Sequence, residues 1–403
     1  MVIQAPLILS MTGEELSPHR SIRVRDELIV ECGDRLTPAP GEEEVCLDHH
    51  ILMPGMINSH CHLDYTGLRG AIFQGHTFTN WIKRINALKQ SLQPEDYLKA
   101  IQEGYELLLR SGCTSVCNLA AFPELLLKLE RPPLRVWWFL ELIDVRTRIS
   151  GDDTLMGALH FFESRADWLG GFGLAPHAPY TASIELFRLA KHCSETMGML
   201  FTTHIAESLD EQEMFLYGAG EMFTFLSSLG RDMSDCGHGS PLSHLMEFGL
   251  LNKQCLAVHL NYLQEYDYEH LRKQPLQVVH CPLCHDYFRH RRFPLDEIEA
   301  TGSDILIGTD SLASNHTLDL RAEIRHASAQ YPHKTFKWWL EGVTQRPASA
   351  LGMQGKLGVI EPGALADVVA FAFEPGHPPA NPYRHIIEST VPPDFLMIHG
   401  ETL

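Results

Sequence analysis

Eight short apolar runs, set apart by longer stretches of which most are amphipathic, constrain the fold more than any other feature of this chain. They are Ile51–Asn58, Cys113–Asn118, Leu134–Leu142, Phe172–Pro176, Leu200–Thr203, Leu256–Val258, Leu276–Val279 and Ile305–Gly308. Helical periodicity fills the gaps at Pro94–Arg110, Ile184–Met197, Leu318–Gln330 and Lys334–Gln345. Eight β/α alternations over some 300 residues predict an α/β fold, a closed (β/α)8 TIM barrel rather than an open sheet. The 403 residues leave room for a second, smaller domain beside a barrel of about 250 residues.

The ends of the chain read differently. Leu7–Met11, Ser21–Val24, Leu28–Cys32 and Val45–Leu47 alternate with turns, as does Asp367–Phe373. Strands this few cannot stand alone. We therefore expect residues 1–52 and 357–403 to join in one small β-sandwich domain, with residues 53–356 forming the barrel.

A hydrophobic fraction of 44% supports a large core, and a net charge of -19 disfavours partners built of phosphate, whether nucleic acid or anionic membrane. No run approaches the roughly 20 apolar residues of a membrane helix. The first residues do not read as a secretory signal, and ten cysteines in a chain of this kind fit reduced thiols. The expectation is a cytoplasmic protein acting on a small molecule.

Where the apolar runs end, ligand-type residues begin. His60 and His62 follow the first run two positions apart, which the strand period places on one face. Cys61, between them, points the other way. His204 ends FTTH, His259 ends LAVH and Asp310 follows ILIGT. Ionisable groups directly after buried runs are costly unless a site uses them. Imidazole and carboxylate ligands suit one Zn2+, with Fe2+ or Mn2+ as alternatives.

The entry PG-x-x-N-x-H-x-H, the H-x-x-E pair His204/Glu207 and the segment TDSLASN together resemble the amidohydrolase superfamily, in its branch of adenosine, cytosine and S-adenosylhomocysteine deaminases and triazine halohydrolases. The closing GKLGVIEPGALADVVAF is similar to that family's return into its β-domain. The resemblance implies a metal held by His60, His62, His204 and Asp310. It further implies Glu207 as the acid that protonates a ring nitrogen, His259 as the residue orienting the attacking hydroxide, Asp310 as acceptor of the released proton, and His177 as a substrate contact. Two-metal members carry a carboxylated lysine at the end of the fourth strand; Pro176-His177-Ala178 stands here, which implies a single metal. Many members are dimers, so a homodimer is also implied.

The implied reaction is hydrolytic deamination of an adenine nucleoside of the aminodeoxyfutalosine, S-adenosylhomocysteine or methylthioadenosine class. VVHCPLCHDYFRHRRFP and GTDSLASNHTLDLRAEIR are most similar to the aminodeoxyfutalosine deaminases. A halohydrolase, or a deaminase of triazine, pyrimidine or guanine, would use the same site; a non-catalytic scaffold would be marked by lost ligands, and all four are present. A carboxylate on the substrate calls for arginine. Arg146 and Arg148 after the third strand, or Arg289, Arg291 and Arg292 after the seventh, are the candidates, each also readable as a solvated loop charge. Glu141 is either a ring or ribose contact or the buried partner of a loop arginine. Trp81, with Phe78 and Ile82, is expected to start a helix over the pocket, and Trp338 and Trp339 to pack. His280, Cys281, Cys284 and His285 are spaced as a second metal cluster could be, although the family's HCP strand end accounts for the first two. Cys284 stands where the family usually has serine.

Overall fold

The structure, a computed structural model, describes residues 1–13, 16–17, 19–145 and 151–403. Its largest sheet has eight strands in sequential order: β1 Met56–Cys61, β2 Cys113–Ala120, β3 Arg135–Leu142, β4 Gly170–Pro176, β5 Leu200–Ile205, β6 Cys255–His259, β7 Gln277–His280 and β8 Asp304–Ile307. The pairings from β3 to β8 are parallel and in register, for example Thr203 with Ala257 and Val279 with Leu306. The two end strands meet at one bridge, Cys61 with Asp310, so the sheet is a nearly closed barrel. The runs are apolar without alternation because both faces are covered: every residue of β2 and β6 is buried.

All eight expected strands occur, with ends displaced by a residue or two, except the first. Ile51–Asn58 is two strands, His50–Pro54 and Met56–Cys61, in different sheets. Gly55 is the break: its N–H donates to the Asp367 carbonyl at 2.9 Å, and a Cβ there would lie 2.1 Å from Thr114 Oγ1. The expected helix Ile184–Met197 is present with those bounds and ends on Gly198 at φ +67°. Lys334–Gln345 is shorter than its periodicity, running Phe336–Glu341, with a further helix Gln345–Ala350.

By contacts the chain falls into two compact units, Met1–Ser59 with Tyr105–Val116 and Leu318–Leu403, and His60–Gly104 with Cys117–Thr317. The first contains both smaller sheets. One joins Val2–Gln4, Ser21–Arg25, Leu28–Gly33 and Glu44–Cys46; the other joins Leu7–Ile8, His50–Pro54, Val368–Ala372, Phe395–Ile398 and Glu401–Thr402. Ile3, Ile22 and Ile29 of one sheet and Leu52, Val368 and Met397 of the other share a single buried core. Val2–Gln4 is a strand that sequence reading passed over. Trp339 packs fully buried in this unit, its ring 4.8 Å from that of Trp338. The second unit, His60–Gly104 with Cys117–Thr317, holds the C-terminal strand ends and the side chains gathered there. No helix among the described residues is long and apolar enough to cross a membrane.

Candidate active site

The strand ends converge as the sequence predicts. The ligand nitrogens of His60, His62 and His204 lie within 4.8 Å of one another, and so do ligand atoms of Glu207, His259 and Asp310. All six side chains are buried. His60 comes from β1 itself and His62 from the cap of the following 3-10 turn Leu63–Leu68.

The hydrogen bonds set the protonation of this group. His204 Nδ1 lies 2.8 Å from the His177 carbonyl, which only accepts, so Nδ1 carries the proton and Nε2 presents a lone pair. That lone pair faces His62 Nε2 at 3.4 Å. Burial, followed by the neighbouring histidines, pushes His204 down to about 3 and His62 well below the ordinary histidine value, so both rings are neutral. Nitrogens this close either share one proton or hold a cation between them, and His60 and Asp310 beside them complete a set of ligand type. The donor set therefore fits a divalent metal, and borderline-soft Zn2+ suits three imidazoles and a carboxylate.

Asp310 completes the set. Its Oδ1 is 3.4 Å from His60 Nε2 and 3.7 Å from His62 Nε2. Its Oδ2 is turned away and accepts from Ser314 Oγ at 2.8 Å and Cys284 Sγ at 2.9 Å. Burial opposes the charge, but the hydrogen bond and charge of His60, with His62 and His259 behind, hold this carboxyl well below the usual carboxylate range. Cys284, where serine was the expectation, thus keeps the donor: burial and the adjoining Asp310 raise its thiol and hold the proton on sulfur.

Three turns at these strand ends are strained. Ala206, His259 and Asp310 adopt φ of +52°, +79° and +57°, a region that costs of order 1–3 kcal/mol per non-glycine residue and clusters at functional sites. The Ala206 turn aims Glu207 inward. Glu211 holds it, accepting the Ala206 N–H on Oε1 at 3.1 Å and the Glu207 N–H on Oε2 at 2.8 Å, while Ser208 Oγ accepts the Glu211 N–H at 3.2 Å. Glu207 is therefore not the exposed helix-start carboxylate its sequence position also allowed. Burial first, then the negative charges of Asp310 and Glu211, lift its pKa well above the ordinary glutamate value. Its Oε2 lies 3.6 Å from His259 Nε2.

These groups open on a cavity of about 700 Å3, within the range of small-molecule sites. Glu141 and His177 line it, with His177 Nε2 3.9 Å from Glu141 Oε1 and His177 Nδ1 2.6 Å from Thr181 Oγ1. Burial raises the Glu141 carboxyl and lowers His177 to about 3. Trp81 and Ile82, on the helix Phe78–Lys89, cover one wall as predicted, and Met222, Phe225 and Leu226 of the helix Gly220–Ser228 supply another. Tyr65 stacks on His62 with centroids 5.6 Å apart and hydrogen-bonds Lys89 Nζ at 2.5 Å.

Lys89 is the one lysine or arginine lining this cavity among the described residues. Of the arginine candidates, Arg146 and Arg148 lie outside the described residues. Arg291 does not reach the cavity. Its guanidinium donates to the Asn261 and Leu263 carbonyls at 2.7 and 2.9 Å and stacks on Tyr262, clamping a loop. Arg289 and Arg292 do not line the cavity either. The second cluster is also corrected: among the described residues His280, Cys281, Cys284 and His285 do not gather as a metal site. Cys284 serves Asp310, and His285 Nε2 lies 3.2 Å from His259 Nδ1. Glu211 is the functional residue most open to sequence reading, because S-x-x-E at 208–211 is a capping-box pattern; Lys89 gave no signal.

A barrel with this set of candidate metal ligands at its strand ends is a hydrolase of the amidohydrolase type. The chain belongs to the amidohydrolase family, which it matches over residues 51–403. It is 28% identical to the 5-methylthioadenosine/S-adenosylhomocysteine deaminase of Pyrococcus furiosus over 418 aligned positions, covering 100% of this chain and 94% of that protein. Two solved structures share the fold. The aminofutalosine deaminase of Helicobacter pylori in complex with methylthio-coformycin superposes with a TM-score of 0.85 at 22% identity, covering 100% of this chain and 99% of that one. A zinc-bound adenosine deaminase of Xanthomonas campestris gives 0.82 at 23%, covering 100% and 92%.

Proposed function

We propose that this protein is a single-metal hydrolytic deaminase of adenine nucleosides substituted on the ribose side, with zinc as the metal and His60, His62, His204 and Asp310 as its ligands. The observation that carries the reading is the Glu207 carboxyl, buried beside His259 at the floor of a large, mostly apolar cavity, where burial raises its pKa well above the ordinary glutamate value. When bound, such a metal lowers the pKa of a water to about 7 and so supplies the nucleophile at neutral pH.

The residues of the chain divide the remaining work. Glu207 donates its proton to the ring nitrogen next to the carbon under attack, which draws electrons away from that carbon. His259 hydrogen-bonds the attacking oxygen. Asp310, with Oδ2 anchored by Ser314 and Cys284, takes the released proton on Oδ1 and passes it to the departing ammonia. His177 and Glu141 contact the base or ribose, and Trp81 closes the pocket against water. The apolar walls suit the substituent. The Pyrococcus relative's named substrates, methylthioadenosine and S-adenosylhomocysteine, both carry a sulfur substituent of this kind. Ten cysteines without a disulfide fit the reducing cytoplasm.

The test is zinc analysis of the purified protein together with ammonia release from adenosine, methylthioadenosine, S-adenosylhomocysteine, aminodeoxyfutalosine, a triazine and a pyrimidine. Stoichiometric zinc and turnover of at least one adenine nucleoside is the expected result. Turnover of the triazine or pyrimidine alone would replace the nucleoside reading with another heterocycle on the same site.

A further inference from the structure

His259 and His285 form a hydrogen-bonded pair of imidazoles, Nδ1 to Nε2, at 3.2 Å, with ring centroids 5.3 Å apart. Both rings are buried. His285 sits on the short helix Pro282–Tyr287, directly after β7, packed against the rings of His280, His290 and Phe293. Neither ring hydrogen-bonds a carboxylate among the described residues, so each is a buried neutral imidazole carrying one proton. The outer nitrogens, His259 Nε2 and His285 Nδ1, make no hydrogen bond to any described residue.

Only one proton lies between the two facing nitrogens, which leaves two arrangements. If His259 Nδ1 donates, His285 must carry its proton on Nδ1, as a buried N–H with no acceptor. If His285 Nε2 donates, His285 Nδ1 is a bare lone pair, and the second N–H belongs to His259 Nε2. Each arrangement leaves one N–H without a described partner, but the first holds it at His285 Nδ1, away from the cavity, and the second holds it at His259 Nε2 on the cavity wall, where a bound molecule can accept it, so the second arrangement is favoured. It also turns the His259 Nε2–H toward Glu207 Oε2, 3.6 Å away, and toward the cavity.

We propose that His285 is a positioning residue that fixes the proton of His259 on Nε2, so that this ring presents a donor and not a lone pair to the reacting centre. The consequence is a separation of proton duties. A His259 already protonated on Nε2 cannot take the proton that Glu207 must deliver to the substrate ring. It can only donate, to the lone pair of the attacking oxygen, leaving that oxygen's own proton to Asp310. The tautomer stands on the geometry alone; its catalytic consequence rests on the deaminase reading given above.

The test uses zinc-loaded protein labelled with 15N-histidine. Long-range 1H–15N correlation spectra read the tautomer of His259, whose signals are assigned by their loss in His259→Asn. The expected spectrum is Nε2–H in the wild type and a shift to Nδ1–H in His285→Phe, which keeps the ring but removes the donor. With the best nucleoside, kcat should fall about 10- to 100-fold in that variant, the range seen when a residue orienting an active-site ligand is removed. KM and zinc content should hold, and His285→Gln, which restores a donor, should recover part of the loss. An Nδ1–H signal in the wild type, or an unchanged tautomer in both variants, would overturn the proposal. Should His285→Phe fail to fold, the wild-type spectrum and His285→Gln decide. A wild type that deaminates no nucleoside would defeat the deaminase reading and leave the spectrum to decide the tautomer.

Discussion

The backbone N–H of Asp310 donates to the carbonyl of His60 at 3.1 Å, while Asp310 Oδ1 lies 3.4 Å from Nε2 of the same histidine. The seam where the first and last barrel strands meet is therefore also an edge of the candidate metal site. Gly308 makes the approach feasible, since a Cβ on it would lie 2.8 Å from His60 Cβ and 3.0 Å from its backbone nitrogen. Gly308→Ala must part the seam. We predict that it weakens zinc binding about 10- to 100-fold, as loss of support around a ligand does, while far-ultraviolet circular dichroism is unchanged. Competition with a chromophoric chelator measures the affinity.

Removing the metal should cost stability by mass action. With three imidazoles and a carboxylate facing one another only in the folded chain, zinc binds the folded state and not the unfolded one. At a thousandfold excess of free zinc over Kd the linkage is about 4 kcal/mol. Chelation should lower Tm, and added zinc should restore it in a concentration-dependent way. His204→Ala should abolish that dependence; a Tm indifferent to zinc in the wild type would mean that the four groups hold no ion.

The fold and the gathering of ionisable side chains at its strand ends were legible in the sequence for one reason: each of these residues follows a run of buried residues, and an ionisable group in that place needs a use. His60, His204, His259 and Asp310 all read that way. The parts that were not legible depend on contacts remote in sequence. Gly55 splits a single apolar run between two sheets because of Thr114, 59 positions on. Arg291 has the charge of a carboxylate binder, but its guanidinium is taken by the carbonyls of Asn261 and Leu263. His285 looked like half of a thiol–imidazole cluster until the turn after β7 placed it against His259. Lys89 is the last residue of an amphipathic helix, indistinguishable by pattern from a solvated lysine, until Tyr65 and Phe122 are seen beneath its ammonium.

Glu207 should be required for chemistry and dispensable for the metal. Glu207→Gln keeps the shape and removes the proton. General-acid catalysis is worth typically 10²–10⁴-fold, so kcat should fall by about that factor with zinc content unchanged. A drop in zinc content with the activity would make Glu207 a ligand instead.

Glu211 supports the same turn, and its titration should be visible in stability. Burial, only partly offset by the backbone N–H groups it accepts, raises its carboxyl from 4.5 to about 7. A carboxyl that binds its proton more tightly when folded contributes stability that is fully present below pH 4.5 and lost as pH rises through about 7. Glu211→Gln lacks that titration. The unfolding free energy of the wild type relative to the variant should therefore fall between these two pH values and level off above them, as read by urea denaturation in saturating zinc. The variant also sets an amide N–H against a backbone N–H of the Ala206–Glu207 turn, so kcat should fall more than KM changes.

Lys89 should decide which substituents are accepted. Its ammonium lies 4.7 Å over the Tyr65 ring and 5.4 Å over that of Phe122. It pairs with no carboxylate among the described residues within ion-pair distance, and it lines the cavity that the substituent must occupy. A hydrogen bond to a charged group contributes about 1.5–3 kcal/mol, which is roughly tenfold or more in affinity. Lys89→Met keeps the apolar stem over the two rings and removes the charge. We predict that kcat/KM for a nucleoside whose substituent carries a carboxylate, such as S-adenosylhomocysteine or aminodeoxyfutalosine, falls about tenfold or more, while that for methylthioadenosine, whose substituent is uncharged, stays within about twofold, since no charged partner is lost. Equal losses on both would make Lys89 a structural support of Tyr65, and through it of His62, with no part in selecting the substrate.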